Sequence, residues 1–551
     1  IPAAIDIVGP LAVPVLAHCF AELVSRHAAL RTVFPANALE PLQEVLAATV
    51  VPLPLVDLEA LPAARVAAEV ERLTLAEARR PFDLAAGPLL RLNLLRPGEA
   101  RWTVLLTFHH IVADGWSIGI VVREVIAIYE AAVRGMPSPL PELAIQYSDF
   151  ARWQRREFGE GALAAQLAYW RSELADAPAL LPLPTDRPRP AVQDLRGART
   201  RREIPAELAA GLAACARQHG ITPFMAFVAV FDVLLSLSTG QDDILIGTPV
   251  ANRPRADVLD LVGLFINTLV LRSRLGRGLA FRELLARVRT TVLAAHAHQD
   301  MPFERLIQEL GLERSLSHSP LFQVLLSHQA ASFRELRMAD LELSLHEVDS
   351  GMAKFDLTLE IQEHGGALSL SLEYATALFD RASAERLLTR FELLLGAAIA
   401  SPQQDVSTFA LLTEAEWHQL LVTWNRLEEG AAPLSTLPAL FAAQSEQSPE
   451  TIAVVALGEE VTYSDLAARA RRLAAALCAI GVAPEVLVAV VLRPSVDLAV
   501  TLLAIQLSGG AFLLLDPEAP TERTSARLAA VEPAFLLSEE RLRSRLPESP
   551  A

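Results

Sequence analysis

The chain has 551 residues, of which 52% are hydrophobic and 21% are charged, and its formal net charge is −17. At about 150 residues per domain, this length predicts three or four domains with buried cores, and the composition excludes wholesale disorder. An acidic chain without a block of basic residues is a poor match for a phosphate backbone, so we expect no nucleic-acid partner.

Cysteine usage and the length of apolar stretches indicate the compartment. Cys19, Cys215 and Cys478 are far apart and form no Cys-x-x-Cys pair. We therefore expect neither a disulfide framework nor a zinc site, and a cytoplasmic location is the simplest. The longest apolar stretch, 223–237, contains Asp232 and is too short to span a bilayer, so we expect no membrane partner. Because the chain begins with isoleucine, we expect a fragment of a longer protein.

Strand and helix patterns alternate through the first 400 residues. The segment 102–108 is rich in β-branched and aromatic residues, which predicts a strand, and 116–132 has apolar residues at helical spacing. The segment 221–237 is almost entirely apolar, which predicts a helix buried on all sides. Further elements are predicted as a strand at 244–250, a helix at 281–297 and a strand at 368–374. This interleaving predicts a mixed α/β fold.

Two segments interrupt these patterns. Prolines stiffen 178–190 (PALLPLPTDRPRP), and the polar stretch 401–436 has the composition of an interdomain linker. After the linker, strand patterns at 452–456, 486–492 and 511–515 alternate with helical patterns at 464–479 and 496–507. This βαβαβ order predicts a parallel sheet.

The sharpest chemical signal is HHIVADGWS at 109–117, which lies between a predicted strand and a predicted helix. Loops at strand ends present reactive side chains at clefts. Adjacent residues of an extended segment point to opposite sides, so only one of His109 and His110 faces a given pocket. A neutral imidazole accepts and returns a proton near pH 7. Gly115 permits a turn that a β-carbon would hinder.

The same residues also have a purely structural interpretation. Paired histidines can be core residues with satisfied hydrogen bonds, and Asp114 can be the N-cap of the following helix. His109 and His110 lack the spacing and the partner ligands of a zinc site, so we expect no metal. Taken alone, the motif leaves the catalytic and the structural interpretation open.

Seven further motifs accompany the histidine motif, and together they resemble the condensation domains of nonribosomal peptide synthetases over residues 1 to about 400. They are RHAALRTVF at 26–34, YSDFARWQ at 147–154, LPTDRPRP at 183–190, GTPVANRP at 247–254, VGLFINTLVLR at 262–272, HQDMPFE at 298–304 and SHSPLFQVLL at 317–326. Two departures occur. The family's first motif is missing upstream of 26–34, and His318-Ser319 stand where Arg-Asn is usual.

The resemblance implies two lobes, each like a chloramphenicol acetyltransferase subunit, in a V around a tunnel. The lobes would be residues 1–175, shortened at the N-terminus, and 176–400. It further implies an acyltransferase that moves an acyl or peptidyl group from an upstream carrier thioester to the amine of a downstream aminoacyl thioester. The partner peptidyl carrier domains would deliver 4′-phosphopantetheine, and the chain itself would bind no cofactor.

The resemblance also assigns roles within the histidine motif. It implies that His110 faces the amine, as a base or as a hydrogen-bonding group for the intermediate, while His109 packs and orients. The Gly115 N–H would lie near the developing oxyanion. Trp116 is expected in the core, since buried aromatic residues usually serve packing, with a place in the tunnel wall as the alternative. Ser117 would support the site from the start of the helix.

Asp114 is expected to form a structural ion pair with an arginine, because a carboxylate held by arginine has a lowered proton affinity. Arg253 is the first candidate and Arg31 the second, although either can be an ordinary surface charge. Asn267, in the motif at 262–272, is expected to support the site.

The order Gly-Trp-Ser after Asp114 resembles peptide-bond-forming domains that accept an L-configured donor. VTYSDL at 461–466 and LLAIQLSGGAFLLLDP at 502–517 resemble the start of an adenylation domain, 437–551, beyond the linker 401–436. The glycine-rich phosphate loop and the catalytic lysine of that family do not occur. We therefore expect this part to be inactive alone and to pair in cis with the rest of an adenylation domain.

Two other functions stay open. A related acyltransferase could make an ester or use a free amine, and a non-catalytic module could act as a docking or gating platform. The adenylation-like continuation favours an assembly-line enzyme over the first alternative. The intact histidine motif argues against the second.

Overall fold

The computed structural model describes residues 1–35, 42–47, 51–157, 163–312, 315–329, 336–364, 367–425 and 435–546. The chain divides into two compact units, Ile1–Trp417 and His418–Ala551. Strands and helices are interleaved in both units, as the sequence predicts. Residues 426–434 of the predicted linker lie outside the described residues.

Two six-stranded sheets dominate the first unit. Its strands are β1 Pro2–Val8, β2 Thr32–Val33, β3 Glu44–Val45, β4 Leu55–Asp57, β5 Leu90–Gly98, β6 Arg101–Phe108, β7 Gly197–Ile204, β8 Asp243–Val250, β9 Asn267–Arg274, β10 Val324–Gln329, β11 Leu336–Met338, β12 Leu341–Glu347, β13 Leu357–His364 and β14 Ala367–Ala375. The first sheet has the order β11-β12-β1-β6-β5-β4, and the second sheet has the order β7-β14-β13-β10-β8-β9. The short strands β2 and β3 pair separately.

Helices cover both sheets of this unit. They are α1 Val13–Arg26, α2 Ala63–Arg79, α3 Gly115–Val133, α4 Tyr147–Glu157, α5 Ala164–Glu173, α6 Ala206–His219, α7 Pro223–Thr239, α8 Phe281–Ala297, α9 Phe303–Glu309, α10 Arg381–Ala400 and α11 Glu414–His418, whose last residue belongs to the second unit. The core of the first sheet packs against α1 and α3 on one face and against α2 on the other. This two-sided burial explains why the last six residues of β6, 103–108, are all buried instead of alternating.

Helix α7 is the central helix of the second-sheet core, as its apolar sequence predicts. Thr222 caps it by accepting a hydrogen bond from the Met225 N–H, and Pro223 occupies the first turn. Every residue from 225 to 236 is buried. Among the described residues, no single helix has the length and apolar character to cross a membrane. Together, α6 and α7 meet that criterion but are bent by 103°.

The first sheet takes its edge strands from a distant part of the chain. β12 pairs antiparallel with β1, and β11 pairs with β12, although residues 336–347 fall within the second predicted lobe. These strands cover an edge of β1 that would otherwise present unpaired backbone groups. The chain then crosses back to β13 of the second sheet through residues 348–356, which we name the return loop.

The second unit is smaller. Its strands are β15 Ile452–Ala456, β16 Glu459–Thr462, β17 Leu487–Val491, β18 Ala511–Leu514 and β19 Phe535–Ser538. Its helices are α12 Leu437–Gln447, α13 Tyr463–Ala479, α14 Val496–Leu507 and α15 Thr521–Val531, preceded by a π-helical turn at Gln419–Thr423. All three cysteines of the chain are free thiols, and only Cys478 is exposed.

The parallel sheet of the second unit differs from the prediction. β17 pairs in parallel with β18 and β19, but β15 pairs antiparallel with β16. Leu457 and Gly458 both have positive φ, 53° and 85°, which is the conformation of a tight two-residue hairpin turn. This hairpin reverses the chain at once, so the prediction that 452–456 joins the parallel sheet was wrong.

One acidic side chain lies inside α7. Asp232 is 0% exposed, and its carboxyl oxygens make no hydrogen bond of normal geometry with the described residues. Burial raises the pKa of this carboxyl well above its usual value, and the Ser273 hydroxyl offsets only part of that effect. The folded chain therefore retains a proton here at pH values where the unfolded chain releases it.

We expect Asp232 to make the first unit less stable as the pH rises. From the ordinary carboxyl value of 3.8 up to the raised pKa, the free energy of unfolding should fall by up to about 1.4 kcal/mol per pH unit. Asp232→Asn should remove this slope in thermal unfolding measured between about pH 5 and about pH 8 by circular dichroism. Asp242→Asn, at an exposed position nearby, should keep it. Equal slopes for Asp232→Asn and the unchanged chain would contradict this account.

Candidate active site

The histidine motif follows β6, a central strand of the first sheet. β6 is held on one side by β1 and on the other by β5, and the His109 N–H donates to the Leu89 carbonyl at 2.9 Å. A short 3₁₀ turn, His110–Val112, comes next, and α3 begins at Gly115. The histidines therefore stand on a loop whose first end is fixed by a fully paired strand.

His109 is engaged by its own loop. Its Nδ1 accepts a hydrogen bond from the Ile111 N–H at 3.1 Å. Its ring meets the Phe82 ring edge-on, with 5.7 Å between centroids. Burial lowers the pKa of His109. These contacts orient the ring and stabilise the turn.

His110 is half-buried and free of such contacts. Its Nδ1 is buried without a side-chain partner among the described residues, which leaves Nε2 as the ring nitrogen that can meet a substrate. Burial lowers the pKa of His110 below the ordinary 6.5, and the charges of Lys354 and of the Ile1 amino group add to this effect. A hydrogen bond with its own backbone and, less strongly, the charge of Asp114 oppose it. The ring is therefore neutral at pH 7 and can accept a proton.

Asp114 is both a helix cap and an ion-pair partner, so it combines the two structural roles that the sequence suggested for it. Its Oδ1 accepts from the Ser117 N–H at 2.9 Å and lies 2.7 Å from the Ser117 hydroxyl. Arg253 approaches the same oxygen at 3.2 Å, and both charged side chains are only 2% exposed. The Phe265 N–H donates to Oδ2 at 3.1 Å. With both oxygens engaged, this carboxylate serves structure rather than proton transfer.

Arg253 connects the histidine motif to the second sheet. It follows β8, and its Nη1 donates to the carbonyls of Val258 at 2.6 Å and Leu261 at 2.7 Å. Its guanidinium lies 4.0 Å from the centroid of the Phe265 ring. Burial lowers the pKa of Arg253, and Asp114 opposes that shift. One side chain thus fixes the loop 253–265 onto the start of α3.

A second support of this loop was not predicted from the sequence. His27 is 1% exposed, and its Nδ1 accepts from the Val262 N–H at 3.4 Å. Its Nε2 lies 2.8 Å from Glu124 of α3, and Arg26 lies 3.1 Å from the same carboxylate. Burial raises the pKa of Glu124, but His27 and Arg26 outweigh burial and hold it below its usual value. The available signal was the Arg-His pair at the start of RHAALRTVF.

Two predictions about the start of α3 were wrong. Trp116 is 49% exposed rather than in the core, because its position lies off the buried helical face. That face includes positions 117, 120, 121, 124 and 128. The indole N–H of Trp116 instead donates to the Leu259 carbonyl at 3.0 Å. Gly115 is exposed, and a β-carbon there would meet no atom within 4 Å, so this turn does not need a glycine for steric reasons.

Arg31 and Asn267 lie elsewhere. Arg31 donates to the Leu46 carbonyl at 2.5 Å and is not a partner of Asp114. Asn267 binds three backbone groups of the segment 299–303 through its side-chain amide, at 2.7 to 3.1 Å, and so fastens that segment to β9. In the part of the chain that the structure describes, no cluster of three or more histidine, cysteine or acidic side chains could hold a metal ion.

Arg253→Ala should destabilise the first unit by about 3–5 kcal/mol, because it leaves the Asp114 carboxylate buried without its counter-ion. Chemical denaturation followed by tryptophan fluorescence would measure this loss. Arg255→Ala is the matched control, since Arg255 pairs with Asp257 at an exposed position and should cost less than about 1 kcal/mol. Equal losses for the two variants would refute the importance of the buried pair.

Comparison with known proteins places this architecture. The condensation-domain family matches residues 1–421, and the AMP-binding enzyme family matches residues 441–550. A linear gramicidin synthase of Brevibacillus parabrevis is 42% identical over 552 residues, which are 99% of this chain and 11% of that protein. Phosphinothricin tripeptide synthetase PhsC of Streptomyces viridochromogenes is 40% identical over 548 residues, which are 99% of this chain and 50% of that protein.

The fold is also found in a solved structure. The four-domain nonribosomal peptide synthetase AB3403 superposes with a TM-score of 0.87 at 23% identity, over 100% of this chain and 42% of that one. This chain therefore spans half of these relatives or less. It belongs to the condensation-domain family of nonribosomal peptide synthetases, whose function is peptide-bond formation by acyl transfer, and it continues into the first part of an AMP-binding domain.

Proposed function

We propose that this chain joins two carrier-bound thioesters through an amide bond and that His110 is the catalytic residue. The family carries its substrates on phosphopantetheine arms. The observation that carries the proposal is the half-buried imidazole of His110, whose pKa is lowered by burial, on a loop anchored to both sheets. His109 is engaged by its own loop, and Asp114 is engaged by Ser117 and Arg253. His110 is therefore the group free to act on a substrate.

The proposed reaction forms one bond and breaks another. The acceptor amine, in its neutral form, attacks the carbonyl carbon of the donor thioester to give a tetrahedral intermediate. A carbon–nitrogen bond forms, and the carbon–sulfur bond breaks as the donor thiolate leaves. His110 takes a proton from the nitrogen and returns it to the sulfur, so the imidazole ends as it began. The Gly115 N–H is proposed as a donor to the oxyanion.

Positioning is the larger part of this catalysis. A thioester is already activated, so the protein must chiefly hold two flexible arms end to end, which can supply several kcal/mol. In this proposal His109 and Asp114 are positioning residues, because they fix the loop that carries His110. Arg253, Ser117, Trp116 and Asn267 support the segments around it, as their hydrogen bonds indicate.

The partners follow from the same proposal. Upstream and downstream peptidyl carrier domains would deliver 4′-phosphopantetheine thioesters, and the chain would need neither a metal nor a cofactor of its own. The AMP-binding part would function in cis with the remainder of an adenylation domain. The lobes 1–175 and 176–400, the linker 401–436 and the adenylation part 437–551 stay proposals. So does the cytoplasmic location.

We expect His110→Ala to lower dipeptidyl-thioester formation at least about a hundredfold, since proton transfer by a positioned side chain is worth that much. Two loaded carrier proteins would be mixed with the chain, and product would be followed by mass spectrometry of the intact carriers. His346→Ala, at an exposed position of β12, is the control and should keep full activity. Unchanged product with a folded His110→Ala variant would refute the assigned role.

The same assay separates the alternatives. An acyltransferase of the other kind would give ester with a carrier-bound hydroxyl acceptor, or amide with a free amino acid, and would leave the aminoacyl carrier unmodified. A docking or gating module would give no product while still retaining a carrier in pull-down.

Donor configuration tests the proposed subtype. Because Gly-Trp-Ser follows Asp114, we expect an upstream carrier loaded with an L-configured aminoacyl group to react about tenfold faster, or more, than its D-enantiomer. Single-turnover rates with the two enantiomers would measure the ratio. A preference for the D-donor would overturn the subtype.

A further inference from the structure

Two loops leave the first sheet at the same end of its strands. β1 pairs antiparallel with β6 on one side, where Pro2 faces Thr107, and with β12 on the other, where Ala3 faces Glu347. The histidine motif follows β6, and the return loop 348–356 follows β12. The two loops therefore start with only β1 between them, at about twice the strand spacing of 4.8 Å.

The backbone of the return loop is fixed on the side of the second sheet. The Ala353 N–H donates to the Leu195 carbonyl at 2.8 Å, and the Gly351 carbonyl accepts from the Gly197 N–H at 2.9 Å. The approach is so close that a β-carbon at Gly197 would lie 2.6 Å from the Ala353 side chain. The loop is thus held between the two sheets rather than free in solvent.

Helix α2 and the proline-rich segment 178–190 also hold this loop. Arg79, at the end of α2, donates from Nε to the Ser350 carbonyl at 3.1 Å. Asp356, the last residue of the loop, is 3% exposed and accepts from Arg189 at 2.9 Å. A side chain carried between these anchors has a defined direction.

Lys354 is the side chain carried there, and it is the only lysine among the 551 residues. Its carbonyl accepts from the Gln193 side-chain amide at 2.8 Å, but its ammonium forms no hydrogen bond or ion pair with any residue that the structure describes. The side chain is exposed, and its charge acts on the Ile1 amino group, which donates to the carbonyl of Phe108 just before the histidine motif.

Three charged groups act on His110. Asp114 favours the protonated ring, whereas Lys354 and the amino group of Ile1 disfavour it. The influence of Asp114 is small because Arg253 and the Phe265 N–H already engage its carboxylate. The charge of Lys354 also acts on Glu373, whose pKa is raised by burial although Arg199 and Lys354 oppose that shift.

We propose that Lys354 is a positioning residue of the condensation site, which acts through His110 by keeping its imidazole uncharged and ready to accept the proton of the amine. The positive potential also disfavours the protonated form of an acceptor amine, which must be neutral to attack. The inference rests on the proposed function of His110. It adds a residue from the far half of the chain to a site built mainly from the first sheet.

The test is the pH dependence of single-turnover dipeptidyl-thioester formation in Lys354→Met and Lys354→Arg, between about pH 5 and about pH 9. All forms would carry the same N-terminal extension, which moves the chain's own amino group away from His110. Lys354→Met should shift the acid limb to higher pH, which lowers the rate near pH 5 at least about twofold and leaves the rate near pH 8 unchanged. Lys354→Arg should keep the original limb.

An acid limb of Lys354→Met that matches the unchanged chain would overturn the inference. So would an equal loss at every pH in both variants, since that pattern indicates a structural role. His110→Ala, measured alongside, separates the role of Lys354 from the proposed function. If His110→Ala abolishes product while Lys354→Met leaves the acid limb unchanged, only the role of Lys354 fails. If His110→Ala keeps full activity, the proposed function fails and the inference with it.

Discussion

The buried ion pair between Asp114 and Arg253 ties the histidine motif to both sheets of the first unit. Its carboxylate caps α3, binds the Ser117 hydroxyl and accepts the Phe265 N–H, while its guanidinium also holds two carbonyls of the loop after β8. Removing either partner would leave a buried charge without compensation, at a cost of several kcal/mol. The position of His110 depends on this pair, because the start of α3 ends the loop that carries it.

This arrangement suits a reaction in which geometry matters more than electronic activation. The donor is already a thioester, so a fixed, neutral imidazole at the meeting point of two arms is sufficient chemistry. Contacts from both halves of the chain contribute to that point. Arg253 holds the loop, and the return loop carries Lys354, whose charge acts on His110. The site therefore depends on two segments from the later half of the first unit, the loop after β8 and the return loop.

Local patterns predicted the immediate surroundings of the site. The predicted strand before the histidines and the predicted helix after them begin and end within two residues of β6 and α3. The predicted helix 281–297 has the bounds of α8. These predictions succeed because the spacing of apolar residues indicates which face of an element is buried. The arginine of ANRP was likewise the first candidate for Asp114. The residue types and the spacing within a motif can therefore predict such a contact.

Long-range pairing could not be predicted in the same way. The residue pattern of a strand predicts which side chains are buried but not which strand pairs with it. The addition of β11 and β12 to the first sheet and the hairpin of β15 and β16 were therefore not predicted. Lys354 acts on His110 because the return loop follows β12 of the first sheet. Trp116 was misplaced because its aromatic character was weighted above its position on the helix.

The central claim is that Nε2 of His110 meets the acceptor amine on a loop held by the ion pair. A crystal structure of the chain with an unreactive amide analogue of the donor and an aminoacyl arm, both delivered on carrier domains, would test it most directly. The account predicts the amine nitrogen within hydrogen-bond distance of that ring nitrogen, with Asp114 still bound to Arg253. An amine placed against Asp114, or far from both histidines, would contradict it.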